Sequence, residues 1–384
     1  MDLAVSDFSF SAASRGRRQG GFPDWGKVDL WLDPSIEAKY PSPVNIARAE
    51  IKNPEIPVLN NYEEGASDLF WRKFPKRALP KKAATKVNIV ELRKMVFKAS
   101  KKMSRCEMKR AKKVIKDLRI GADAYQREVL PPISTCNSKS AFEHGTLLTD
   151  TIASWVKKGF VAGPFDTPPL PGFRENPLGA VERNGKVRPI LNMSGPAGKS
   201  FNDNVKEEEL ERLHMGTARE FSYLLREAGK NARFSKFDIR DAYKLIPAKP
   251  TDYRLQGFRW LNKYFVEIMM SFGGKPSPCN FDRLGKTKDL LACIRSGTPR
   301  YLVPRALDDS PCVAPEGSNM IDRFTEEMKI VCEKARIPLA DKCPQAEKAF
   351  ELVTRGTVLG VGFDSSDLTW YLSKEKSDKV IEDV

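Results

Sequence analysis

The sequence predicts an α+β protein, and three observations carry that prediction. Around position 237 the apolar residues Phe237 and Ile239 alternate with Lys236, Asp238 and Arg240, the period of a strand with one face in a core and Asp238 on the other. Two pairs of β-rich runs are parted by turn residues: 177–181 and 186–191 by Asn184-Gly185, a type I′ hairpin signal, and 255–260 and 264–270 by Leu261-Asn262-Lys263. Helical patterns fall in other stretches, so strands and helices are segregated as in α+β folds.

Taken in order, residues 1–70 mix Ser, Gly and Arg with Pro-punctuated pieces holding Trp25 and Trp31, and read as a poorly ordered arm with short docking segments. Residues 72–119 hold 19 Lys or Arg against Glu91, Glu107 and Asp117, and so carry the whole-chain formal excess of +15. Asn88 with Glu91 marks a helix start, and Leu92, Val96, Met103, Val114, Ile115 and Leu118 give a broken helical period. This is a basic helical region, either a solvated lysine-rich face, a nuclear-targeting stretch or a nucleic-acid contact, the last made through Lys101, Lys102, Arg105, Lys109, Arg110, Lys112 and Lys113.

Residues 146–158 predict a helix with Leu147, Leu148, Ile152, Trp155 and Val156 on one side and Gly159 as its stop. The proline- and glycine-rich stretch 163–172 excludes helix and central strand and reads as a boundary or shaped loop. After the Phe237 strand and the 255–270 hairpin, Gly273 and Gly274 with Pro276 and Pro278 make a tight segment open to close backbone approach, ahead of a helix from about Asn280 that carries Phe281 and Leu284 into the core.

A chain of 384 residues at 41% hydrophobic content suffices for two or three domains with a core. Its positive charge favours a polyanionic partner. Seven cysteines without a C-x-x-C pair indicate neither a disulfide framework nor a zinc ribbon, and two histidines, His144 and His214, leave little room for histidine metal clusters or Ser/Cys/His triads. No apolar run reaches about 18 residues and no apolar signal core opens the chain, so the expectation is an intracellular protein, with no membrane partner and not secreted.

Five motifs in order then resemble the reverse transcriptases, with retroelement polymerases the nearer likeness. They are Gly185-Lys186-Val187-Arg188-Pro189-Ile190-Leu191-Asn192; Asp238-Ile239-Arg240-Asp241-Ala242-Tyr243; Ser271-Phe272-Gly273-Gly274-Lys275-Pro276-Ser277-Pro278; Leu307-Asp308-Asp309; and Ala340-Asp341-Lys342-Cys343 followed by Leu359-Gly360. The resemblance covers roughly residues 145–376. It implies right-hand polymerase fingers over 145–230 and a palm over 231–384 with an antiparallel sheet backed by helices, preceded by the arm of 1–70 and the basic helical region of 71–144; the little chain after the last motif leads to the expectation that thumb and ribonuclease H are absent from it, supplied by other chains or by a longer element product. It implies RNA-directed DNA polymerase activity on an RNA template and DNA primer with dNTPs, and partner domains such as ribonuclease H or an integrase or recombinase.

The family's chemistry uses two magnesium ions about 4 Å apart, with manganese as a substitute, held by carboxylates. Carried over, Asp238 and Asp308 bridge the metals and Asp309 supports them. Lys186 and Arg188 neutralise the triphosphate, Tyr243 excludes the sugar 2′-hydroxyl, Gly273 and Gly274 admit the nucleotide, and Lys342 protonates the leaving pyrophosphate. Taken singly, Asp238 is more often a turn cap, the aspartate pair a surface loop and Tyr243 a packing residue; the motifs together in order favour the functional reading. Three departures matter: Ala306 stands where the family has an aromatic, Pro304 interrupts the strand expected to deliver the aspartates, and Phe272 stands where many relatives have glutamine. The alternative is an element-derived, catalytically impaired nucleic-acid-binding protein. A single-subunit RNA-dependent RNA polymerase is a further rival, against which Tyr243 speaks.

Overall fold

The computed structural model describes residues 66, 68–183, 186–340 and 349–372. The expected arm of 1–70 thus lies almost wholly outside the described residues. In chain order the elements are α1 (Asp68–Lys73), α2 (Ile89–Ala99), α3 (Arg105–Ile120), α4 (Lys139–Glu143), α5 (Gly145–Lys158), β1 (Val161–Phe165), β2 (Leu178–Arg183), β3 (Lys186–Leu191), α6 (Ala218–Ala228) and β4 (Arg233–Phe237). They continue as β5 (Gly257–Trp260), β6 (Lys263–Glu267), α7 (Pro276–Ser296), β7 (Ser310–Ala314), α8 (Met320–Ala335), β8 (Phe350–Val353), β9 (Arg355–Val358), β10 (Val361–Asp364) and β11 (Thr369–Tyr371).

These form helices and antiparallel sheets, in the orders β7-β4-β8, β1-β6-β5, β11-β10-β9 and the hairpin β2-β3. The local signals behave as the sequence predicts. Asn88 accepts a hydrogen bond from the Glu91 amide at the start of α2, a Ser104/Glu107 capping box opens α3, and Gly159 at φ 79° ends α5 in the left-handed conformation. The β5–β6 turn uses Leu261 and Asn262 at φ 47° and 60°, the double positive φ of a type I′ turn. The other expected turn, Asn184-Gly185, lies outside the described residues.

Two stretches differ from expectation. Gly163 and Pro164 belong to β1, which is tolerated because β1 is an edge strand whose register breaks between Ala162 and Phe165. Helix α7 starts at Pro276 rather than near Asn280, since proline is well placed in a first helical turn. Within α5, Leu148, Ile152 and Val156 are buried while Leu147 is half exposed to solvent.

The core of the β7-β4-β8 sheet lies between β4-β7 and α7-α8, where Phe237, Cys312, Phe281, Leu284, Phe324 and Met328 pack together. Helices α2 and α3 enter this same core through Leu92, Val96, Val114 and Leu118, so the basic region is a layer packed on the sheet-backing helices. On the other face of β4 and β7, Phe234 and Val313 meet Phe221 of α6 and Phe363 of β10. A third cluster joins α1 and α5 to the β5–β6 hairpin through Trp71, Leu148, Trp260 and Phe265. No helix among the described residues is long and apolar enough to cross a membrane.

Candidate active site

The alternation along β4 sets the site. Ser235 and Phe237 face α8, where Ser235 Oγ meets Thr325 Oγ1 at 3.0 Å and the Phe237 ring packs on Phe324. Phe234, Lys236 and then Asp238 alternate to the opposite face. Strand β4 pairs with β7 so that Phe237 faces Ser310. Asp238 therefore stands one residue past this last pair on one strand and Asp309 one residue before it on the other. Asp308 and Asp309 lie in a four-residue turn closed by Ala306 N–H to Asp309 O at 3.0 Å and Asp309 N–H to Ala306 O at 2.9 Å, with Leu307 at φ 49°. Upstream of the turn there is no strand: a short 3-10 turn at Arg300–Leu302 runs into Pro304, as the proline predicts.

All three aspartates are half-buried. Burial pushes the Asp309 carboxyl above the usual carboxylate range; buried Lys236 opposes this, the neighbouring Asp308 adds to it, and Lys288 and Arg305 pull back. Lys236, on the face opposite Phe237, is only 5% exposed, and the ring of Phe350, more than a hundred residues later, lies 5.5 Å from its ammonium. The Ala340 amide donates to Asp238 O at 2.8 Å, so the segment leading to Lys342 runs beside Asp238. Lys342 itself lies outside the described residues. A cavity of about 220 Å³ opens here, lined by Lys236, Asp238, Lys329, Ala340, Phe350 and Glu351.

Tyr243 sits within electrostatic reach of the turn. Its hydroxyl is pushed up to about 12 by burial and then by the negative charges of Asp308 and Asp282. Its ring lies between Phe272 at 5.1 Å and Phe281 at 5.6 Å, and Phe272 is 50% exposed. The next residue, Lys244, is buried and bonded to Glu267 at 2.6 Å, with its ammonium 4.4 Å from the Trp155 ring and 5.4 Å from that of Phe272. Lys244 and Tyr243 thus lie against the same Phe272 ring.

The Gly273-Gly274 loop is tied to the chain that follows β3. A side chain on Gly273 would fall on the carbonyl of Leu191, so the approach requires glycine. Asn202 clamps the loop, donating to Gly273 O at 2.8 Å and accepting from the Lys275 amide at 2.8 Å. Sequence reading missed Asn202, because nothing local distinguishes an asparagine in an irregular stretch. The β2–β3 hairpin thus stands on this loop. It carries Arg188, exposed and paired in register with Val181, and Lys186, paired in register with Arg183. Arg188 makes no ion pair among the described residues.

The seven candidate cations of the basic region divide. Arg110 is bonded to Glu211 at 2.8 Å, and Lys113 to Asp117 at 2.5 Å. Lys101, Lys102, Arg105, Lys109 and Lys112 are exposed, and so are Lys116 and Arg119, which lie on the same α3 face as Arg105, Lys109 and Lys112. A larger cavity of about 600 Å³ lies between α3, α6, α7 and residues 300–305; none of the three aspartates lines it.

Three carboxylates at the ends of two adjacent strands are the donor type that suits magnesium, which takes one or two carboxylates and fills its octahedron with water and phosphate oxygens. Among the described residues no group of three or more His, Cys, Asp or Glu side chains closes into a metal cage. Burial is the first reason the Asp309 carboxyl is raised, and the charge of Asp308 adds to it; a dication held by these oxygens would offset both, and the donor set suits such an ion.

No family model matches the sequence, and no curated protein matches it. Solved structures are similar at low identity. The foamy viral protease-reverse transcriptase in complex with an RNA/DNA hybrid is 15% identical, with a TM-score of 0.49 over 82% of this chain and 39% of that one. The same enzyme in complex with double-stranded DNA is 15% identical, with a TM-score of 0.46 over 79% of this chain and 59% of that one. Prototype foamy virus protease-reverse transcriptase in its native form is 16% identical, with a TM-score of 0.44 over 64% of this chain and 29% of that one. The chain thus spans less than two thirds of the length of each.

Proposed function

We propose that this chain is a template-directed nucleotidyl transferase, an RNA-directed DNA polymerase of the retroelement kind that adds dNTPs to a primer 3′ end. The observation that supports the reading is the β4–β7 register, which sets Asp238 and the Asp308-Asp309 turn at one end of adjacent strands beside Tyr243. Asp238, Asp308 and Asp309 would hold magnesium, which when bound activates the primer hydroxyl and neutralises the departing pyrophosphate. The Tyr243 ring excludes a 2′-hydroxyl, the Gly273-Gly274 backbone admits the incoming nucleotide, and Lys186 and Arg188 on the hairpin meet its phosphates. Lys342 supplies a proton to the leaving group.

The test is extension of a DNA primer on an RNA template with magnesium or manganese titrated. Asp238→Asn or Asp308→Asn keeps the side-chain shape and removes one charge, with an expected loss of about a thousandfold in rate; Asp309→Asn loses less. Melting curves of the variants should match or slightly exceed wild type without metal. Undiminished extension by Asp308→Asn refutes the assignment. The exposed cations of α3 favour a second reading, a nucleic-acid-binding protein without catalysis, which is the conclusion if wild type binds nucleic acid but never extends a primer.

A further inference from the structure

The turn bearing Asp308 and Asp309 lacks the upstream strand that would steady it, yet both residues flanking its four positions are fastened to one helix. Before the turn, the Arg305 guanidinium bonds Asp282 at 3.3 Å, Asp289 at 3.4 Å and Ser310 Oγ at 3.3 Å. After it, Ser310 Oγ donates to Asp289 at 3.2 Å and accepts from Lys288 Nζ at 2.9 Å. Asp282, Lys288 and Asp289 all belong to α7, and all five side chains are buried. Arg305 lies across α7 at Gly285: a side chain on Gly285 would fall inside the guanidinium, and the Phe281 ring of the same helix face sits 5.5 Å from it. The helix is bare at that position so that the arginine can cross it. Glycine within a helix is otherwise unfavourable, which makes the space for Arg305 the physical reason for its presence.

We propose that Arg305, seated over Gly285 and joined to Asp282, Asp289 and Ser310, is a positioning residue that sets where the Asp308-Asp309 turn stands relative to Asp238. The inference rests on the proposed function for its catalytic consequence, but not for its structural one. Arg305 touches no reacting group; it acts through the backbone of residues 306–309, whose two hydrogen bonds it fixes in space against α7. A misplacement of about 1 Å in such a group is enough for roughly a hundredfold loss of rate.

The test is Gly285→Ala in the full chain, which keeps every charge and adds one methyl where the guanidinium lies. Two readouts are taken: primer extension, separating kcat from the KM for dNTP, and hydrogen–deuterium exchange across 306–310. The expected result is a kcat about a hundredfold lower with KM nearly unchanged, and faster exchange in 306–310 while exchange in the β2–β3 hairpin stays at wild-type rates. Arg305→Lys, which keeps the charge but cannot form the fork, should accelerate exchange in the same segment and serves if Gly285→Ala fails to fold. Wild-type exchange in 306–310 in a folded variant overturns the proposal, whatever the activity. If wild type extends no primer, the polymerase reading fails, while the exchange result still decides the clamp.

Discussion

Removing the exposed cations of α3 should change how binding to nucleic acid depends on salt, by an amount set by how many cations are available. Arg105, Lys109, Lys112, Lys116 and Arg119 recur at four- and three-residue steps and are all exposed, a single stripe along about 21 Å of helix. None has an ion-pair partner among the described residues, whereas Arg110 and Lys113 on the inner flank are held by Glu211 and Asp117. The three acids of this region are engaged as well: Glu91 with Lys94, Glu107 with Arg300 and Asp117 with Lys113. If all five cations meet duplex phosphates, the slope of log K against log salt is about −4.5, and affinity falls about 500-fold between 50 and 200 mM. Lys109→Gln, Lys112→Gln and Lys116→Gln together should bring the slope to about −2 and that fall to about tenfold. Fluorescence anisotropy of a labelled duplex over a sodium chloride series reads both values. An unchanged slope in the triple variant, or an equal change from Arg110→Gln with Lys113→Gln, refutes the assignment of the contact to this stripe.

Tyr243→Ala opens the space beside Phe272, so the ratio of dNTP to rNTP incorporation should fall while melting changes little beyond the lost ring contacts; an unmoved ratio makes Tyr243 a packing residue only. Lys244→Met leaves Glu267 buried without its partner and should cost about 3–5 kcal/mol in urea unfolding, most of it regained in Lys244→Met/Glu267→Leu. In the single variant burial, unopposed by Lys244, drives the Glu267 carboxyl further above 4.5 than in wild type. A carboxyl raised in the folded state contributes stability below its unfolded pKa and loses it as pH rises through the folded one, so the variant's deficit should shrink in acid and widen towards neutrality. A deficit that does not change with pH contradicts this. Gly273→Ala must push the loop off Leu191 and should lower both stability and nucleotide affinity, measured by melting and by the KM for dNTP; wild-type values for both would show that the loop yields freely.

What the sequence by itself determined is what depends on residues within a turn or two of one another. The Asn88 cap, the Gly159 stop, the hairpin turn within 261–263 and the burial of Phe237 and Ile239 are local: period and cap chemistry decide them wherever the segment sits. The Asp308-Asp309 pair and an aspartate at the end of the alternating run at Phe237 are likewise visible in the chain as residues, whereas their standing at one end of adjacent strands comes from the β4–β7 register. Only the tertiary structure decided the rest. Lys236 is buried because Phe350 arrives from another strand, and Arg110 and Lys113 turn from candidate phosphate contacts into ion-pair partners because Glu211 and Asp117 lie beside them. The basic helices read as a region apart, and they pack into the same core as Phe237 because their buried stripe meets α7 and α8. Asn202 and Gly285 carry no local signal at all. Their roles come from a loop about seventy residues away and from an arginine twenty residues on, and a period of two or 3.6 holds no information about a partner at that distance.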